Sequence, residues 1–342
     1  MSWQRIRGHD AVVQEFTQAV RRGRLGQAYL FTGPPGVGKR LFATELAKVL
    51  LCERATAEQW QACDECAACR LVEAGTHPDL VTAARPEDKN EVPIEAVREL
   101  CRALSLKPAR GKGKVAILDD ADDLNPYSAN SFLKTLEEPP PNSVLILVGT
   151  GADLQLPTIV SRCQVIHFAP LTDDVMTDLL RAQGVDDPHL LRRAVKQAGG
   201  SPGQALALAD PELWQFRQVL VQALSQPRFD GVGLSKQWME FIDKAGKESV
   251  LQRRRAGLSL RLLVDLLADA MRLGVGAGPR AAEADETPAL QRLAERLGPD
   301  ALRELVARCL EADAQVDRYV QLVLTIEGLT DALGQGLAPA AR

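Results

Sequence analysis

Short apolar runs alternate with segments of helical period through the first half of the chain. The runs are Ala28 to Phe31, Asp79 to Ala83, Val115 to Leu118, Val144 to Val148 and Val165 to Phe168. Between them lie Arg40 to Leu51, with Leu41, Leu46, Val49 and Leu50 at helical spacing, then Ile94 to Leu104 after Pro93, and Ser128 to Leu136 after Asn125-Pro126. Continuously apolar strands separated by helices predict a parallel sheet covered on both faces, since a strand buried on both sides has no polar face to alternate with.

After Pro170 the pattern is helical only. Leu171-Thr172-Asp173-Asp174 reads as a helix start, and a small helical section runs to about Ala209, interrupted by Gly199-Gly200-Ser201-Pro202-Gly203. Asp210-Pro211-Glu212 opens a third section, in which Leu258, Leu262, Val264, Leu267 and Met271 recur mostly at three- and four-residue steps. Its one loop-like stretch is Gly274 to Pro288, and Gly334 to Arg342 is expected to fray. No internal repeat is present. The expected division is an α/β domain over 1–170, a small helical domain over 171–209 and a helical domain over 210–336.

A length of 342 residues suits two or three domains, and 46% hydrophobic with 25% charged residues excludes wholesale disorder and a collagen-like chain. The formal charge of -4 argues against a protein that grips DNA by itself. Two local basic clusters, Arg253-Arg254-Arg255 and Lys107, Arg110, Lys112, Lys114, either touch DNA phosphates or form solvated faces. Met1 to Asp10 lacks the features of a signal peptide and no apolar run reaches the ~20 residues of a bilayer span, so a cytoplasmic protein without membrane contact is expected. His9, His77, His167 and His189 are widely spaced and pair with no serine or cysteine in a nucleophilic arrangement.

Gly33-Pro34-Pro35-Gly36-Val37-Gly38-Lys39 follows a strand and opens a helix, the setting of a phosphate-binding loop. Glycines let backbone N–H groups close on phosphate oxygens, and Lys39 would reach the β/γ oxygens of ATP. The next residue should be Ser or Thr to hold Mg²⁺; it is Arg40, which cannot ligate a cation. The Mg²⁺ site is therefore expected to be lost and ATP binding to be doubtful. Asp119 and Asp120 end the strand Val115 to Leu118, with Asp119 at the metal position and Asp120 where an ATPase carries a longer Glu as base.

Seven cysteines, an odd number, do not make a disulfide framework. Cys52, Cys63, Cys66 and Cys69 are spaced to surround one structural Zn²⁺, while Cys101, Cys163 and Cys309 are expected to be buried apolar residues. The final Cys-Pro of a ferredoxin run is missing after Cys69.

Asn130 to Pro140 (NSFLKTLEEPP) followed by Ser161-Arg162-Cys163 resembles the AAA+ clamp-loader proteins of bacteria. The zinc insertion after the loop helix, Glu73 to Asp79, Glu95 to Glu99 and Gly200 to Leu206 are similar to the delta-prime branch of that family over the first ~210 residues. The resemblance implies an AAA+ (P-loop, RecA-like parallel sheet) α/β domain with a zinc-binding insertion, a helical lid and an all-α collar. It also implies a stationary subunit in a ring with gamma/tau ATPases and delta, which places the sliding clamp on primed DNA as part of the polymerase holoenzyme. Arg162 would act in trans on a neighbour's ATP. Gly203 stands where the motor subunits carry a sensing arginine, and Thr150-Gly151 where they carry Thr-Thr. With Arg40 and Asp120, these departures imply little or no ATPase activity of the chain's own. The alternatives are an active gamma/tau-type motor and an unrelated zinc-containing repair ATPase.

Overall fold

The computed structural model describes residues 2–86 and 89–338. It contains two compact units, Met1–Leu206 and Ala207–Arg342. The first is a mixed α/β unit. After a 3-10 turn at Ser2–Arg5 come α1 (Asp10–Arg21), β1 (Ala28–Thr32), α2 (Lys39–Leu51), α3 (Ala67–Glu73), β2 (Leu80–Ala83), α4 (Ile94–Ser105) and β3 (Lys114–Leu118). A 3-10 turn at Ala121–Asp123 leads to α5 (Pro126–Glu137), β4 (Ser143–Val148), the one-turn α6 (Pro157–Val160), β5 (Gln164–His167), α7 (Asp173–Ala182), α8 (Pro188–Gln197) and α9 (Pro202–Leu208).

All five expected strands form, and they pair in parallel in the order β2-β3-β4-β1-β5. Strand alternation sorts the core. From β1, Tyr29 and Phe31 meet Phe16 of α1, Phe42 of α2 and Phe168, with most ring centroids about 5 to 6 Å apart. Ala28 and Leu30 face the other way, into a cluster with Val97, Leu100 and Leu104 of α4, Phe132 of α5, and Leu145 and Leu147 of β4. Each large side chain removed from water contributes ~1.5–3 kcal/mol, so both faces of β1 anchor the unit. Helix α1 is absent from the sequence expectation, although Val12 and Phe16 carry the four-residue step that buries it.

The second unit is helical: α10 (Pro211–Ser225), α11 (Gly231–Asp243), α12 (Ser249–Gly274), α13 (Thr287–Asp317) and α14 (Leu322–Leu337). Phe216 stacks on Phe241 at 4.4 Å, and the Trp238 indole donates to Ser259 Oγ at 2.7 Å. Helix α13 bends where Gly298, with φ +71, precedes Pro299. The expected break between Gly274 and Pro288 is present, but it is tied from inside. Buried Asp269 accepts backbone N–H groups of Arg280, Ala281 and Ala282 at 2.6, 2.8 and 2.5 Å. Buried Arg217 pairs with Glu286 at 2.7 Å. The expected fraying from Gly334 is corrected: α14 continues to Leu337, because Leu333 and Leu337 are buried. Residues 339–342 lie outside the described residues. No helix among the described residues is long and apolar enough to cross a membrane.

Candidate functional site

The glycine-rich loop joins β1 to α2, and close backbone approach explains its composition. Gly33 has φ +136, and a Cβ there would lie 2.2 Å from the Phe168 carbonyl oxygen. The Lys39 ammonium is turned into its own loop, donating to the carbonyls of Gly33 at 2.6 Å and Pro34 at 2.8 Å. Burial pushes the Lys39 pKa down, against the pull of Asp122 and Asp119. From the other side, His9 Nε2 lies 2.9 Å from the Val37 carbonyl oxygen. The segment leading into α9 closes on the same loop: Ser201 Oγ donates to the Pro35 carbonyl at 2.8 Å and Gly203 N–H to the Gly36 carbonyl at 3.0 Å. A Cβ on Gly203 would stand 3.0 Å from Gly36 Cα, so a side chain at this position would force the two segments apart. Gly36 (φ +75) and Gly38 (φ +108) complete the loop, and Gly38 starts α2.

Opposite the loop, β3 delivers Asp119 and Asp120. Arg40 reaches across from α2, and its Nη1 lies 3.1 Å from Asp119 Oδ2. Burial raises the Asp119 pKa, Asp120 adds to the rise, and Arg40 opposes it. Asp120 adopts a left-handed conformation (φ +53), and its Oδ2 accepts from Arg85 N–H at 3.3 Å. Arg40, Asp119 and Asp120 line one cavity of about 320 Å³ with Lys39, Asp122 and Thr150. Asp122 is a residue the sequence reading passed over. Its Oδ2 accepts the Thr150 amide and hydroxyl, both at 2.7 Å, and its Oδ1 accepts from Gln155 Nε2 at 2.6 Å. Only the fold brings these three together, so no local pattern advertises them.

Arg162 lies apart from that cavity, after α6. Its Nε and Nη2 donate to Glu137 Oε1 at 3.1 and 2.6 Å, and its Nη1 to the Thr158 carbonyl at 2.9 Å and Ser161 Oγ at 3.2 Å. One third of the side chain remains exposed.

Cys52, Cys63, Cys66 and Cys69 converge, with their Sγ atoms all within 4.8 Å of one another and no disulfide among them. Sγ separations of 3.6 Å for Cys52–Cys63, 3.9 Å for Cys52–Cys66 and 4.0 Å for Cys63–Cys69 suit a tetrahedral ion. Zn–S bonds of ~2.3 Å put sulfurs ~3.8 Å apart. Backbone N–H groups of Cys63, Cys66 and Cys69 point at the sulfurs of Cys52, Cys63 and Cys66 at 3.3–3.4 Å, as thiolates require. Burial raises the Cys63 pKa, but N–H groups of Glu65 and Cys66 outweigh it and bring the thiol down to about 6. Burial drives Cys69 up. A dication would bring four such thiols into one ionised set, and the site fits one structural Zn²⁺ with no vacant ligand position. Cys52 ends α2 and Cys66 caps α3, so the module fastens the loop helix at its far end. Lys48 of α2 adds ion pairs to Glu45, Asp64 and Glu73 at 3.2, 3.0 and 3.0 Å.

The remaining cysteines divide. Cys309 is buried, whereas Cys101 and Cys163 are half-buried against the sheet core. The basic clusters are largely spent inside the fold. Arg110 pairs with Glu53 at 2.6 Å, Lys112 bonds the Cys52 carbonyl, and Lys114 is buried against the Ala103 carbonyl at 2.8 Å. Arg253 donates to the carbonyls of Val316 and Val320 at 2.8 and 3.0 Å, and Arg255 pairs with Asp210 and Glu212 at 2.5 and 3.0 Å. Lys107 and Arg254 remain exposed to solvent.

A family model described as "DNA polymerase III, delta subunit" matches residues 8–172. The delta' subunit of DNA polymerase III from Escherichia coli is 31% identical over 293 residues, which are 86% of this chain and 84% of that one. The delta' subunit from Pseudomonas aeruginosa is 35% identical over 213 residues, 62% of this chain and 64% of its own. The tau subunit from Escherichia coli is 33% identical over 224 residues, 64% of this chain but 34% of tau. The class is thus AAA+ clamp-loader proteins. Within that class, the chain belongs to the DNA polymerase III delta-prime family.

Proposed function

We propose that this chain is a clamp-loader subunit that does not turn over ATP and that lends Arg162 to a neighbouring gamma/tau-type ATPase. The observation that carries the reading is the Arg40–Asp119 pair at 3.1 Å: a fixed positive charge occupies the carboxylate that would hold Mg²⁺. The in-turned Lys39 supports it, since its ammonium is spent on loop carbonyls and not free for a triphosphate, and so does Gly203, which packs against the loop and has no side chain to reach a γ-phosphate. Gly33, Gly36, Gly38, Lys39, Asp119 and Asp120 are then a degenerate nucleotide site. The apolar cavity beside the loop, lined by Ile6, His9, Val37, Leu171 and Leu180 among others, would still accept a nucleoside base.

In this role Arg162 supplies what a phosphoryl-transfer site needs and cannot carry itself: a planar, permanently charged group facing the oxygens on which charge grows. The segments 171–209 and 210–336 serve as lid and ring-holding collar, with gamma/tau and delta as neighbours. The sliding clamp and primed DNA are reached through the assembly, in keeping with the internal use of most basic side chains. The four-cysteine module is structural.

The test is hydrolysis by the reconstituted ring. Arg162→Ala leaves this chain folded by circular dichroism and lowers DNA-stimulated ATP turnover; unchanged turnover rejects the trans role.

A further inference from the structure

Resting on that reading of Arg162, we infer that Glu137 is its positioning residue. The two segments they occupy pack into the same sheet core. Glu137 ends α5, a helix whose Phe132 and Leu136 sit in the sheet core, and Pro139-Pro140 follow after Glu138. Arg162 follows a single helical turn, Pro157–Val160, whose buried Ile159 joins the same core, but its own long side chain leaves that turn and stays one-third exposed.

Glu137 braces that side chain in a particular way. One carboxylate oxygen, Oε1, takes both Nε and Nη2, fixing one edge of the guanidinium. The Thr158 carbonyl and Ser161 Oγ take Nη1 and fix a second edge. A guanidinium has five N–H groups, so these four bonds leave one on Nη2 unclaimed. The plane of the fork is thus set while part of it stays open. Glu137 is itself 51% exposed, so its second oxygen is solvated and the pair is no buried ion pair that would sequester the charge. An arginine so held reaches a neighbour's phosphate without first losing the rotamer freedom of a long side chain. Glu137 acts through Arg162 and touches no substrate.

The experiment compares Arg162→Ala, Glu137→Ala and Glu137→Gln in the same reconstituted ring, with kcat and KM for ATP measured for each and folding checked by thermal melting. Glu137→Ala is expected to reproduce at least half of the kcat loss of Arg162→Ala with KM unchanged. Glu137→Gln, whose amide oxygen can still accept both N–H groups, is expected to restore most of it. No loss in Arg162→Ala would overturn the trans role itself. A loss there with wild-type kcat in Glu137→Ala would overturn the positioning role alone. So would equal losses in the two Glu137 variants, which would indicate charge and not support, and so would a gain in kcat, which would mark Glu137 as a brake.

Discussion

Replacing Arg40 with Thr is the most direct assault on the proposed silence of the nucleotide site, because it deletes one charge and supplies a hydroxyl of the kind Mg²⁺ takes. Two terms can be worked from the structure. Arg40 is 67% exposed on its side chain, so its 3.1 Å pair with Asp119 is screened and is worth ~0.2–1 kcal/mol. A dication ~5 Å from the guanidinium is repelled by ~1.7 kcal/mol even at the dielectric constant of water. Together they weaken Mg²⁺ by roughly 1.9–2.7 kcal/mol, or roughly 25- to 100-fold. Equilibrium titration with a fluorescent ATP analogue, with and without Mg²⁺, should therefore show no metal dependence in the wild-type chain and a clear one in Arg40→Thr. The stability cost has a definite sign. It appears only where Asp119 is ionised, so the variant melts like the wild type in acid and falls slightly below it as pH rises through the raised Asp119 pKa. Tight, Mg²⁺-dependent binding by the wild-type chain would refute the reasoning and reopen the motor reading.

Metal analysis should find one zinc per chain, and Cys66→Ser should lose it with a fall of ~4–8 °C in the melting temperature of the first unit, for a cost of ~2 kcal/mol; substoichiometric zinc in a fully stable wild-type protein would reject the module. Lys48→Met removes one of the two cations on the buried Glu45 carboxylate and leaves Arg5 at 2.9 Å on the other oxygen, so a loss of ~1–3 kcal/mol is expected in denaturant unfolding at neutral pH. Because burial raises the Glu45 pKa, protonation relieves the under-paired charge in acid, so that deficit must grow from low to neutral pH; a deficit independent of pH would disprove it.

The sheet was legible because its strands are short, continuously apolar and bounded by turn residues, and the zinc set because its ligands sit within 18 residues, from Cys52 to Cys69. Arg40 was also readable, as a wrong residue in a known pattern, but not its partner, since 79 positions separate it from Asp119. The same non-locality hid the union of Asp122, Thr150 and Gln155. Helix α1 was missed for a different reason: its apolar stripe is narrow, and Gln14, Glu15, Gln18 and Arg21 dilute it. The basic clusters misled because sequence shows a charge but not its counter-charge, and Asp210, Glu212 and Glu53 are close to these arginines only after folding.

Asp269 changes how the helical second unit can be handled at the bench. A stretch rich in glycine, alanine and proline invites a tag or a fluorophore, yet one buried carboxylate holds three consecutive amides at Arg280 to Ala282. Those amides should exchange with deuterium only when the helix pair around them opens, and an insertion there would leave a charge stranded in the core. Val275 and Gly276, a few residues upstream, are exposed and make no such demand, so a label for following assembly belongs there.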